Sequence, residues 1–261
     1  MWPVLVSLGP LNVRTYGFLL ALAFVAGLLL ARHRARVRGG VDPDLVTDMG
    51  FYLLLAGILG ARIFFVAQNL KYYLVHPLDV FKIWEGGLAF YGSFIGALLV
   101  AVLYLRRHRI PFFPAADIFA PPVALGQAIG RLGCLAAGCC HGLPSDLPWA
   151  VTFPRDPFCL APQGIPLHPT QLYNSLAHLL ILGILLLSER KPGFPGRTLL
   201  LYVILTAAAR FGLDFLRGDD RGRFLTTPLT AAQGIGLVLI LVAAGVWIHL
   251  RRNREGGAEG A

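Results

Sequence analysis

Long apolar runs separated by short polar, basic or Gly/Pro-rich breaks lie at about 15–31, 45–66, 88–105, 115–136, 171–187, 198–216 and 229–250. Most are too long for core helices of a soluble domain, and a bilayer-spanning helix needs about 20 apolar residues. The pattern predicts seven transmembrane helices. Glycine and proline inside the runs are tolerated in bilayer helices. Pairs of small residues four apart, Gly92/Gly96 and Gly126/Gly130, would let neighbouring backbones approach closely.

Composition strengthens this. Of 261 residues, 56% are hydrophobic and 14% charged, and the mean hydropathy is +0.65. A soluble domain carries about a quarter charged residues, so a soluble enzyme, a disordered chain and a small disulfide scaffold are excluded. The expected fold is all-α: one polytopic membrane domain over 1–261, with one substantial loop at about 137–170 and a basic tail at 251–261. Met1-Trp2-Pro3 carries no basic leader, so the first run is expected to persist as a helix.

The net charge of +9 would suggest nucleic acid in a soluble protein. Here its distribution sets orientation. With seven spans, thirteen basic residues fall on one side: Arg32, Arg34, Arg36, Arg38, Arg106, Arg107, Arg109, Arg190, Lys191, Arg197, Arg251, Arg252 and Arg254. Seven fall on the other: Arg14, Lys71, Lys82, Arg155, Arg217, Arg221 and Arg223. The positive-inside rule then predicts an N-terminus outside and a cytoplasmic C-terminus. The excess charge marks topology, and no nucleic-acid partner is expected.

Arg62, Arg131 and Arg210 remain, inside or at the edges of apolar runs. Intramembrane arginines are costly and mark functional sites. Arg210, Asp214 and Arg217 are spaced four and three apart, which predicts one helical face with two guanidinium groups and a carboxylate between them. Arginine grips phosphate bidentately, and the phosphate within reach of an outer leaflet is a phospholipid headgroup.

The fourth run leads into Cys134, Cys139, Cys140 and His141, with Cys159 further on. Adjacent cysteines beside a histidine resemble part of a metal site. No CxxC pair accompanies them, so no metal or other cofactor is expected. A disulfide from Cys139 or Cys140 to Cys159 is expected in an oxidising compartment, with Cys134 a buried thiol. His168 and Gln171 open the fifth run, and Trp84-Glu85-Gly86-Gly87 leads into Tyr91-Gly92 at the third.

These segments together resemble the prolipoprotein diacylglyceryl transferase family over nearly the whole chain. The resemblance is carried by Leu8-Gly9-Pro10 with Arg14 to Gly17, Gly60-Ala61-Arg62-Ile63, Trp84 to Gly92, Gly130-Arg131-Leu132-Gly133, His168 to Tyr173, Arg210 to Arg217, and Leu229-Thr230 with Gln233. It implies a seven-helix bacterial inner-membrane transferase. Such an enzyme moves diacylglyceryl from phosphatidylglycerol to the lipobox cysteine of a preprolipoprotein signal peptide and releases glycerol phosphate.

By resemblance, Arg131 and Arg210 would bind the lipid phosphate and stabilise the leaving group. Tyr91 would take the general base's place in catalysis. Arg62, Tyr16, Arg217, Asp214, His168, Gln171, Gly92 and Cys139 would bind substrate. The family pattern has His-Gly-Gly where this chain has Tyr91-Gly92-Ser93, so Tyr91 stands in the place of the family's histidine. It has Asn, Asn and Glu where this chain has Cys134, Ala137 and Cys139. Asn174 stands where the family has Glu. Two other functions fit parts of the sequence: a non-catalytic lipid-binding or transport paralogue, and a membrane thiol–disulfide oxidoreductase using the four cysteines.

Overall fold

In a computed structural model, residues 4–8, 11–82, 86–154, 159–191, 193–219 and 229–258 are described. Met1, Trp2, Pro3, Gly9, Pro10, Trp84, Glu85, Arg155, Arg221 and Arg223, on which expectations from the sequence rest, lie outside them. The chain is predominantly helical. Each of the seven apolar runs is a long helix: α1 (Thr15–Arg38), α2 (Pro43–Gln68), α4 (Phe90–Arg107), α5 (Phe112–Ala137), α6 (Thr170–Ser188), α7 (Arg197–Asp214) and α8 (Ala231–Ala258). Between α2 and α4 lie a short helix α3 (Leu70–Val75) and a 3₁₀ turn (Pro77–Phe81).

Among the described residues five helices are long and apolar enough to cross a membrane: α1, α2, α5, α6 and Ala231–Arg252 of α8. The other two, α4 and α7, have 18 residues each. Burial is inverted relative to a soluble protein. Leu29, Leu59, Leu180 and Leu241 are 60% exposed or more, whereas α6 turns Thr170, Gln171, Asn174, Ser175 and His178 inward. An apolar exterior around a polar interior suits a lipid environment.

Two small antiparallel sheets depart from the all-helical expectation. β1 (Val4–Leu8) pairs with β2 (Leu11–Arg14) ahead of α1. β3 (Val151–Thr152) pairs with β4 (Pro166–Leu167). This second pair orders the 137–170 loop around buried Phe153, Ala161 and Leu167, against which Leu135 and Cys159 pack.

Contacts group the chain into two compact units: Met1–Ala31 with Ala116–Ala261, and Arg32–Ala115. In the smaller unit, Asp42 caps α2 by accepting from the Asp44 N–H (2.8 Å), with Pro43 at the first helical position. α2 and α4 then meet on glycine. A Cβ on Gly92 would lie 2.2 Å from Gly60 O, and one on Gly96 2.5 Å from Ala56 O. The Gly92/Gly96 spacing is therefore a helix crossing of the small-residue kind. A Cβ on Gly130 would meet nothing within 4 Å, so the second glycine pair makes no such crossing.

In the larger unit α5, α6 and α7 share a core of Ala124, Ile181 and Leu185 with Leu201 and Tyr202. α7 and α8 join through Phe194, Leu200, Ala243 and Trp247. Buried Asp117 of α5 accepts from Gly196 N (2.7 Å) and Leu199 N (2.8 Å), placing a carboxylate at the N-terminus of α7. The helix dipole and orphan N–H groups account for an acid inside an apolar helix. Thr230 and Gln233 exchange side-chain bonds with each other's N–H (3.0 and 3.1 Å), a capping box that starts α8.

Candidate functional site

The larger unit's site grows from the end of α5. Gly138 has φ +70°. Its N–H donates to Leu135 O (3.2 Å), and the Cys139 N–H donates to Cys134 O (3.1 Å). These paired bonds form a Schellman motif. The turn folds Cys139 back over Cys134, and the Cys139 thiol faces Cys134 O at 3.7 Å. Cys140 follows at φ +61°, unusual for a residue with a side chain.

The turn is fixed from α6. Gln171 Nε2 donates to Cys139 O and Thr170 Oγ1 to Cys140 O, both at 2.8 Å, and both side chains are fully buried. Beyond Cys140 the chain runs between two neighbours: Gly142 N–H donates to His168 O (3.1 Å), Leu143 N–H to Leu216 O (2.9 Å), and Gly218 N–H to His141 O (3.1 Å). A Cβ at Gly142 would lie 2.5 Å from His168 Cβ. Only glycine passes there.

The outcome for the cysteines differs from the expected disulfide. All four are free thiols. The Sγ atoms of Cys134, Cys139 and Cys140 lie within 4.8 Å of one another. The Cys159 sulfur sits instead where a Cβ on Gly138 would be, 2.4 Å from that point. The Schellman turn directs Cys139 toward Cys134 rather than toward Cys159. Hydrogen bonds from Cys134 and Cys139, with the Arg217 guanidinium beside them, hold the Cys140 thiol below its ordinary pKa. The bonds to Cys134 and Cys140 push Cys139 up.

Arg131 is half-buried one turn before Cys134. It lies within electrostatic reach of Cys134, of Tyr16 in the first turn of α1, and of His178 on α6. Among the described residues it has no hydrogen-bond acceptor. Arg210 lies within electrostatic reach of His178 as well, so guanidinium groups from α5 and α7 both act on one buried imidazole.

The sequence reading passed over His178. Its Nδ1 lies 2.7 Å from Asn174 O, and its buried Nε2 has no partner among the described residues. A carbonyl facing Nδ1 requires the proton there, which leaves Nε2 of the neutral ring with its lone pair. The available signal was a four-residue polar repeat in an apolar helix: Thr170, Asn174 and His178, with Gln171 and Ser175 beside it.

The expected Arg210–Asp214–Arg217 face is only partly present. α7 ends at Asp214, because the main chain at 216–218 bonds to the 141–143 segment and leaves the helical path. Arg217 is buried and binds Asp219 through Nε (2.8 Å) and Nη2 (2.9 Å). Asp214 is buried and accepts from Thr230 Oγ1, and its other oxygen has no partner among the described residues. The acid that neutralises Arg217 is therefore Asp219. His168 Nδ1 lies 3.4 Å from Tyr173 OH, which accepts from Trp149 Nε1 at 2.7 Å.

Arg62, Tyr91 and Gly92 belong to the smaller unit. Arg62 is buried and donates to the carbonyls of Val80 (2.8 Å), Gly86 (2.9 Å), Gly87 (3.1 Å) and Asp79. Its guanidinium also lies over the rings of Phe65 and Tyr73, 5.9 and 5.4 Å from their centroids. Tyr91 is 69% exposed, and Gly92 forms the contact with α2 described above.

Fold and site together define a multi-pass helical membrane protein with arginines, thiols and neutral polar groups gathered inside it. The chain belongs to the prolipoprotein diacylglyceryl transferase family, whose model matches residues 3–249. It is 36% identical over 247 residues to the phosphatidylglycerol–prolipoprotein diacylglyceryl transferase of Clostridium tetani, covering 95% of this chain and 97% of that one. The Cupriavidus metallidurans protein of the same name is 38% identical over 96% of this chain and 94% of its own. That of Synechococcus elongatus is 36% identical over 96% and 89%.

Proposed function

We propose that this chain transfers the diacylglyceryl group of phosphatidylglycerol to a prolipoprotein, as its relatives' names describe, and that the acceptor group is the thiol of the lipobox cysteine. It would do so in the bacterial cytoplasmic membrane, with seven spans, the N-terminus outside and the C-terminus inside. The observation that carries the reading is Arg131. A guanidinium half-buried at the end of an apolar helix, without an acceptor among the described residues, is a site waiting for an anion.

Arg131 and Arg210 would hold the lipid phosphate. The acceptor thiolate would attack the glycerol carbon beside it, forming the C–S bond as the C–O bond to phosphate breaks. Fixed positive charge is then already in place where negative charge develops on the leaving glycerol phosphate. His178 Nε2, with a lone pair and no partner among the described residues, is a candidate to accept the thiol proton, in place of the Tyr91 that the sequence suggests. Tyr16, His168, Gln171, Asp214, Arg217 and Cys139 would shape the site. Arg62 and Gly92 would hold together the fold of the smaller unit.

Purified protein in phosphatidylglycerol vesicles with a lipobox peptide should release glycerol phosphate and yield a diacylglyceryl thioether on the peptide's cysteine. Tight phospholipid binding with no thioether would instead support a lipid-binding paralogue.

A further inference from the structure

Three cysteines converge at the end of α5, a feature that the transfer chemistry above does not use. Cys134 projects from the last helical turn, the Schellman bonds fold Cys139 over it, and Cys140 follows at positive φ. Gln171 and Thr170 pin the carbonyls of Cys139 and Cys140. The three sulfurs lie within 4.8 Å of one another. Around a tetrahedral zinc with Zn–S bonds of about 2.3 Å, neighbouring sulfurs are roughly 3.8 Å apart. Side-chain rotation alone can close that difference while the backbone stays fixed.

The sulfur set selects a soft cation, and the charges favour a divalent one. Three thiolates on zinc leave one negative charge, and on copper(I) two. Arg217 lies against Cys140, and Arg131 is within electrostatic reach of Cys134, to offset what remains. Neither Cys159 nor His141 joins the set, so among the described residues no fourth His, Cys, Asp or Glu completes it. Zinc sites with four protein ligands are structural. Those with three keep a position for water or substrate.

We propose that Cys134, Cys139 and Cys140 bind zinc, and that the open fourth position takes the thiolate of the acceptor peptide. The second half rests on the transferase reading. With the metal bound, the thiol proton would leave to water on coordination instead of passing to His178, and the sulfur would remain as a bound thiolate. The thiolate needed for attack would thus form at the end of α5, beside Arg131.

The test uses the full chain in detergent, reduced, stripped of metal and titrated with cobalt(II) under anaerobic conditions. One cobalt per chain is expected, with thiolate-to-metal charge-transfer absorption and the visible bands of a tetrahedral site. Cys134→Ser, Cys139→Ser and Cys140→Ser should each lose the tight site, and Cys159→Ser should keep it. A lipobox peptide should shift the visible bands, and the same peptide with serine for cysteine should not. No thiolate–cobalt band, a band that survives Cys139→Ser, or a disulfide within the trio after anaerobic purification would overturn the site. A site indifferent to the peptide thiol would overturn the open position.

Thioether formation read in the same samples separates the two proposals. Full transfer by metal-free protein or by Cys139→Ser removes the metal from the reaction and leaves the transferase reading standing. A thiol-responsive metal site without thioether product does the reverse.

Discussion

Arg62 and Arg131 present the same residue in similar sequence surroundings, each in an apolar helix where a guanidinium is expensive. Arg62 spends its N–H donors on the carbonyls of the 79–87 segment and lies over two aromatic rings. Arg131 has no such carbonyls among the described residues and lies within electrostatic reach of a thiol, a phenol and an imidazole. The first arginine spends its donors inside its own unit, and the second, on the proposed function, would complete a site when an anion binds. Intramembrane position alone does not distinguish these roles; the fate of the donors does.

Substitutions should separate the two. Arg131→Ala should lower thioether formation by roughly 10²–10³-fold, the usual cost of removing a donor aimed at developing negative charge, while the protein stays folded by size-exclusion chromatography. Arg62→Lys should act in the opposite way. It abandons several charge-assisted bonds worth about 1.5–3 kcal/mol each, so thermal unfolding in detergent should fall well below wild type, with turnover per folded molecule preserved.

The glycines give a smaller contrast. Gly92→Ala drives a methyl into Gly60 O and should destabilise by about 1–3 kcal/mol. Gly130→Ala meets open space and should leave the melting temperature unchanged or slightly raised, since alanine is the better helix former by about 1 kcal/mol. Equal effects at the two positions would contradict the α2–α4 crossing. At the start of α8, Thr230→Ala removes a cap worth about 1 kcal/mol and a bond to buried Asp214, so its melting temperature should fall as Gly92→Ala's does and not stay level as Gly130→Ala's does.

The pattern of apolar runs located all seven long helices, because hydropathy over about 20 residues is a property of the local sequence. What it missed depends on contacts distant in the chain or on single backbone angles. Extending the helical period from Arg210 to Arg217 assumed that α7 continues, but bonds from the 141–143 segment end it at Asp214. A disulfide to Cys159 looked reasonable from loop position, yet Gly138 at positive φ turns Cys139 toward Cys134. His178 drew no attention as a lone histidine in a leucine-rich helix. Its significance rests on Arg131 and Arg210, which arrive from α5 and α7. The hairpin at 4–14 lacked a clear alternating pattern, and its register shifts between Val4 and Val6.

The central claim is that Arg131 holds a lipid phosphate and Arg62 does not. Native mass spectrometry of wild type, Arg131→Ala and Arg62→Lys, each titrated with phosphatidylglycerol against an uncharged diacylglycerol, tests it directly. The account predicts that wild type and Arg62→Lys retain phosphatidylglycerol preferentially, and that Arg131→Ala loses the preference. Undiminished preference in Arg131→Ala would contradict it.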